Sequence, residues 1–146
     1  MKIYLAADHA GFEAKEALKK YLIENGYDVD DKGALVLDPQ DDYPDFIKRA
    51  AMALTSDAGS VAFLFGGSGQ GEAMVANRQK GVRAAVYYGG PEEIVSLSRE
   101  HNNANALSFG VRFIAADKII EVARMWLRTK FSNDERHTRR IGKIDG

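Results

Sequence analysis

Short apolar runs alternate along the chain with stretches whose apolar residues recur every three or four positions, the periods of buried strands and amphipathic helices. Ile3 to Ala7 is the first run, and Ala14, Ala17, Leu18, Tyr21 and Leu22 then share one helical face. Gly26 stands where a glycine would end that helix. Tyr27 to Asp30 reads as a second strand, with acidic residues that suit a sheet edge. Asp38 to Asp42 is polar, holds a proline and reads as loop. Pro44 is placed to open a helix carrying Phe46, Ile47, Ala50 and Leu54. Val61 to Phe65 is the clearest strand, followed by Val82 to Tyr88 and then Ala104 to Phe109. Pro91 can open the helix between those two, and Ile119, Ile120, Ala123, Trp126 and Leu127 mark the last clear helix.

Continuous apolar strands separated by amphipathic helices imply a parallel sheet covered on both faces. The expected fold is α/β, a Rossmann-like three-layer α/β/α sandwich around a five-stranded parallel sheet. Residues 1–146 read as one domain without repeats or linkers. In such sheets ligands bind beyond the carboxyl ends of the strands, so the loops that follow strands are where chemistry is expected.

Composition narrows the possibilities. At 146 residues the chain can bury roughly two thirds of its unfolded surface. A formal net charge of −1 creates no global field for nucleic acid or an anionic membrane. No cysteine is present, which excludes disulfides, thiolate metal sites and thiol nucleophiles. No apolar run approaches the ~20 residues that span a bilayer, and acid and histidine interrupt the apolar start of the chain at once, so a cytoplasmic protein is expected.

Five segments carry candidate chemistry. Asp8, His9 and Gly11 follow the first strand; a turn with an Asp cap is their ordinary explanation, an acid–base or anion-binding pair their functional one. After the third strand comes FGGSGQGE, Phe65 to Glu72. Its glycines free several N–H groups to face one anion, and the following helix adds the positive end of its dipole. Gly67, Gly69 and Gly71 supply backbone, Ser68 a hydroxyl, and Glu72 a carboxylate in the first helical turn. The spacing matches neither the dinucleotide fingerprint nor the phosphate loop ending in Gly-Lys-Ser/Thr. Arg99 to Asn103 end a helix, where a histidine and asparagines also serve as terminators. Arg112 follows the fifth strand. Arg136 to Arg140 read Arg-His-Thr-Arg-Arg, either a solvated basic face or an anion clamp. All three histidines, at 9, 101 and 137, lie in polar segments at expected element ends, and none has metal-site spacing. Proton handling and phosphate binding suit them better.

Taken together these segments resemble the type B ribose-5-phosphate isomerases, a family that also includes galactose-6-phosphate and allose-6-phosphate isomerases. The matching stretches are Asp8-His9-Ala10-Gly11, Asp42-Tyr43-Pro44, Gly66 to Glu72 with Ala76-Asn77-Arg78, Arg99 to Asn103, and Arg136 to Arg140, in family order over nearly the whole chain. The resemblance implies interconversion of ribose 5-phosphate and ribulose 5-phosphate through a cis-enediolate, with no metal and no cofactor. It further implies a homodimer, with a tetramer as the alternative, whose active sites lie at the subunit interface. Asp8 and His101 would assist ring opening and proton movement. The amides of Gly67, Gly69 and Gly71, with Ser68, would hold the enediolate oxygens, and Asn102 would contact sugar hydroxyls. His9, Arg112, Arg136, His137 and Arg140 would hold the phosphate, some of them across the interface. Many members carry a cysteine base just before the loop; here that position is Gly66. The chain matches a branch that lacks the cysteine and uses a glutamate at the loop's end, here Glu72. As a base Glu72 needs a raised pKa, which burial favours and the helix dipole and loop amides oppose. The sequence leaves that balance open.

Two neighbouring readings remain at this stage. One is the same chemistry on a hexose 6-phosphate; the other is a flavodoxin-like nucleotide- or flavin-binding module using the same loop. A nucleic-acid role for the basic tail is disfavoured, since no aromatics interleave it and Asp134 and Glu135 precede it.

Overall fold

The computed structural model describes residues 1–146. Strands and helices follow in the order β1 (Lys2–Ala7), α1 (Phe12–Glu24), β2 (Asp28–Asp31), α2 (Tyr43–Ser56), β3 (Val61–Gly66), α3 (Gln70–Asn77), β4 (Ala84–Tyr87), α4 (Glu93–Glu100), β5 (Ala106–Gly110), α5 (Ala116–Arg128) and α6 (Glu135–Gly142). The five strands form one parallel sheet in the order β2-β1-β3-β5-β4, the expected architecture. Gly26, with φ +83°, ends α1 as its position suggested. Val82 to Tyr88 yields a shorter strand than expected, at the sheet edge opposite β2.

Successive side chains of a strand face opposite sides of the sheet, and the core divides accordingly. Ile3, Leu5, Phe63, Phe65, Leu107 and Phe109 pack with Leu18, Leu22, Val95, Val122 and Trp126 under α1, α4 and α5. Tyr4, Ala6, Ala62, Leu64 and Ala106 pack with Ile47, Ala50, Leu54 and Ala76 under α2 and α3. Both faces are therefore covered, which explains why β1, β3 and β5 read as continuous apolar runs.

Two features depart from the sequence reading. The basic tail, to which the sequence reading assigned no element, is a helix, α6. Its apolar content is too low for a periodicity argument to find it. Lys15, on the inner side of α1, is wholly buried and bonds Asp31 at the end of β2, which also receives Lys19 and the Gly33 N–H. Burial alone would raise the Asp31 pKa, but these donors outweigh it and hold the carboxyl below its ordinary range.

Strand order reverses between β1 and β3: the chain steps from β1 to β2 on one side and returns to β3 on the other. The crevice beyond the carboxyl ends of these two strands is the place where this fold binds ligands. Asp8 leaves β1 there, and the glycine loop leaves β3 there.

Candidate active site

The glycine loop is held against the end of β5. Val111 and Arg112 N–H donate to the carbonyls of Gly66 and Gly67 at 2.9 and 3.1 Å, and Ser108 Oγ donates to the Gly69 carbonyl at 2.7 Å. Gly69 caps α3 in the left-handed region (φ +77°), and a β-carbon there would stand 2.9 Å from the Phe109 backbone. Only glycine fits both constraints. The N–H groups of Gly67, Ser68 and Gly71 donate to no protein acceptor. With the amino end of α3, they leave a concavity of free N–H groups, a geometry suited to an anion.

Glu72, in the first turn of α3, is only 4% exposed. Burial raises its carboxyl pKa and the nearby charge of Asp8 adds to this, while its own N–H and that of Gly69 oppose both. The net shift is upward, so desolvation wins the contest that the sequence left open. The space that the Glu72 carboxyl fills is the space that a side chain at position 66 would need.

Asp8 is buried, and its Oδ1 accepts the Gly11 N–H at 3.2 Å. His9 bonds Asp41 twice: its backbone N–H and its Nδ1 both reach Asp41 Oδ1, at 3.0 and 2.7 Å. The Asp41 hydrogen bond, with the charges of Asp8 and Asp41, raises the His9 pKa against burial and Arg112. Donor atoms of Asp8, His9 and Asp41 lie within 4.8 Å of one another. Arg112 lies across Gly67, whose β-carbon would stand 3.0 Å from the guanidinium carbon. The Tyr43 hydroxyl approaches Gly71 to within 2.7 Å of the corresponding point.

The remaining residues named from the sequence sit elsewhere. α4 returns from the carboxyl end of the sheet to the start of β5, so His101 and Asn102 lie at the amino end. α5 makes the same return, and the Ser132 N–H donates to the Glu100 carbonyl at 3.1 Å, which sets α6 beside the end of α4. There the rings of His101 and His137 stack at 4.3 Å, 13° from parallel. Burial, His101, Arg136 and Arg140 lower the His137 pKa, and its buried Nε2 has no hydrogen-bond partner. Arg139 is tied to Glu135 at 2.9 Å, whereas Arg136 and Arg140, one turn apart on α6, are exposed and enter no ion pair. A cavity of about 440 Å³ also opens at this end, lined by Lys80, Arg83, Arg99 and Asn103 among others, and touches no residue of the glycine loop.

Asp8 and His101 lie at opposite ends of the sheet within one chain: the five residues of β5, at about 3.3 Å each, put roughly 16 Å of sheet between the two ends. His137 stands at an element end as expected, in the first turn of α6, but its side chain is buried. Asp41 and Tyr43 were assigned no role from sequence. Asp41 lies 32 residues from His9 in a loop without periodicity, and only the aspartate-tyrosine-proline stretch pointed to Tyr43.

Comparison with known proteins identifies the family of the chain. The model of the family described as ribose/galactose isomerase matches residues 3–144. Ribose-5-phosphate isomerase B of Mycobacterium tuberculosis is 38% identical over 141 residues, which cover 97% of this chain and 86% of that protein. The probable ribose-5-phosphate isomerase B of Mycoplasma pneumoniae is 36% identical, over 97% of this chain and 91% of its own. Among solved structures, ribose 5-phosphate isomerase of Thermotoga maritima superposes with a TM-score of 0.91 at 38% identity, covering 99% of this chain and 97% of that one. The enzyme of Mycoplasma genitalium, solved with bound ribulose 5-phosphate, gives 0.91 at 35% identity, covering 98% and 93%. The chain belongs to the ribose/galactose isomerase family.

Proposed function

We propose that this chain is a sugar-phosphate isomerase that interconverts ribose 5-phosphate and ribulose 5-phosphate, with Glu72 as the base. The observation that carries this reading is a buried carboxyl of raised pKa beside a loop of unbonded N–H groups. A proton next to a carbonyl is weakly acidic, so its removal needs both a base and stabilisation of the enediolate. Glu72 takes the proton from C2 of the open-chain aldose and returns it to C1, while a second proton passes from the C2 hydroxyl to O1 with the help of Asp8 and His101, so that C2 becomes the carbonyl and C1 the alcohol. The N–H groups of Gly67, Ser68 and Gly71, with the Ser68 hydroxyl, hold the enediolate oxygens, while the Gly69 N–H, expected to join them, is turned to the Glu72 carboxyl; such donors contribute about 3–4 kcal/mol each in a dry site. Ser68 Oγ already accepts the Gln70 N–H at 3.2 Å, which leaves its hydroxyl proton to donate. Asp8, buried at the end of β1 and near enough for its charge to act on Glu72, relays protons during ring opening.

Residues 1–146 form one isomerase domain that works as a homodimer. The separation of its two residue sets supports this: Asp8, His9, the loop, Glu72 and Arg112 of one chain meet His101, Asn102, Arg136, His137 and Arg140 of a second. The pair His101 and Asn102 then completes the sugar site, and Arg136 and Arg140 join His9 and Arg112 on the phosphate. Arginine forks hold such a group bidentately and fix the reacting carbons. No helix is long and apolar enough to cross a membrane. Pentose phosphates are charged and retained inside cells, so we place the reaction in the cytoplasm, within pentose phosphate metabolism.

The test is turnover of ribose 5-phosphate in the presence of EDTA, followed in deuterated water. Deuterium should enter the product at the carbon next to the carbonyl. Higher kcat/KM for allose 6-phosphate or galactose 6-phosphate would overturn the pentose assignment, and no turnover of any of the three would overturn the isomerase reading.

A further inference from the structure

Asp41 belongs to none of the segments that the sequence singled out for chemistry, yet it is the residue that fixes His9. One carboxylate oxygen receives both the backbone N–H and the ring Nδ1 of His9, at 3.0 and 2.7 Å. The Asp41 side chain is 7% exposed, that of His9 37%. The other carboxylate oxygen is buried without a hydrogen-bond donor, an arrangement that destabilises a fold. An asparagine could accept the same two bonds and offer its amide as a donor, so the hydrogen-bond geometry alone does not explain a carboxylate here. A negative charge beside the imidazole does. His9 Nε2 makes no hydrogen bond and is not among the buried unpaired atoms, so this edge of the ring is open to solvent.

We propose that Asp41 is a positioning residue for His9: its carboxylate grips the ring by the Nδ1 edge and leaves the Nε2 edge as a charged donor for the phosphate of the substrate. This rests on the isomerase reading above for the identity of the anion, not for the dyad itself. Three charged groups face His9: Asp8 from the end of β1, Asp41 from the loop before α2, and Arg112 from the loop after β5. The two carboxylates favour the charged ring and Arg112 opposes it. A phosphate arriving between His9 and Arg112 would neutralise the one unfavourable neighbour, so ligand and dyad reinforce each other.

The test compares wild type, Asp41→Asn and His9→Gln. The His9 ring is titrated by NMR without substrate, and KM and kcat for ribose 5-phosphate are measured from pH 6 to 9. In Asp41→Asn the His9 titration should move down towards that of an ordinary histidine. KM near pH 7.5 should rise roughly tenfold, the size of one charge-assisted hydrogen bond, with kcat nearly unchanged. Adding Asp41→Asn to His9→Gln should change KM no further. An unmoved His9 titration in Asp41→Asn would overturn the proposal whatever the activity. A moved titration with unchanged KM would overturn the phosphate half of it. An inactive wild type with the predicted NMR shift would count against the isomerase reading and leave the dyad standing. If Asp41→Asn unfolds, Asp41→Glu serves: it keeps the charge, so its His9 should stay high, and a fall would overturn the proposal.

Discussion

The carboxyl carbon of Glu72 lies 2.1 Å from the point where a β-carbon on Gly66 would stand. The two positions therefore compete for one volume at the floor of the crevice, and glycine at 66 is what seats the glutamate.

Gly66→Ala should displace the Glu72 carboxyl without disturbing the backbone, because the clash is with the end of a flexible side chain. We expect kcat to fall about 10²-fold, the scale of an ångström-level misplacement of a catalytic group, with little change in Tm. Unaltered solvent exchange in this variant would show that the seat at Gly66 does not matter.

Glu72→Gln should lower deuterium exchange about 10²–10⁴-fold, the range for loss of a general base. It should also stabilise the fold at neutral and alkaline pH. The Glu72 pKa is raised on folding, so its contribution is present below the unfolded value and lost as pH rises through the folded one. Glutamine removes that loss. The Tm difference between variant and wild type should vanish in acid and grow with pH; a constant difference would contradict the raised pKa.

Mixing two inactive variants tests the shared site. Glu72→Gln damages the carboxyl-end set and His101→Ala the amino-end set. After subunit exchange at equal amounts, half the dimers are mixed and each has one intact site, so activity should return to about a quarter of wild type. No recovery after verified exchange would place both sets in one chain's site.

Arg136→Ala or Arg140→Ala should raise KM for phosphorylated sugars about tenfold or more and spare kcat, because each removes a charge-assisted contact to phosphate. Arg139→Ala, which loses only an exposed pair with Glu135, should leave KM alone and cost less than about 1 kcal/mol of stability. Equal KM in all three would sink the phosphate clamp on α6.

Asp31→Ala should destabilise the fold by about 3–5 kcal/mol, since it leaves the wholly buried charge of Lys15 only the longer, 3.7 Å contact with the part-exposed Glu16. Denaturant unfolding measures this directly. A loss below about 1 kcal/mol would mean that Lys15 finds another partner or water.

Much of the sheet was legible in order of residues alone. Val61 to Phe65 announced a buried strand because a parallel strand covered on both faces has no polar side, and the glycines of 66–71 announced an anion site because freed N–H groups need an acceptor. Those are local properties, carried by neighbouring residues. The helix of Arg136 to Arg140 was not legible, because a charged helix held by one buried histidine has almost no apolar period. Nor was the strand order, which inserts β5 between β3 and β4 and with α4 carries His101 to the far end of the sheet from Asp8. Sequence by itself determined the elements, the glycine loop and which residue types could carry the chemistry. Tertiary structure alone decided that Glu72 is buried in the gap above Gly66, that Asp41 grips His9, and that Asp8 and His101 stand at opposite ends of the sheet. Burial, desolvation and placement at one or other end of a sheet depend on residues far apart in the chain, and no local pattern records them.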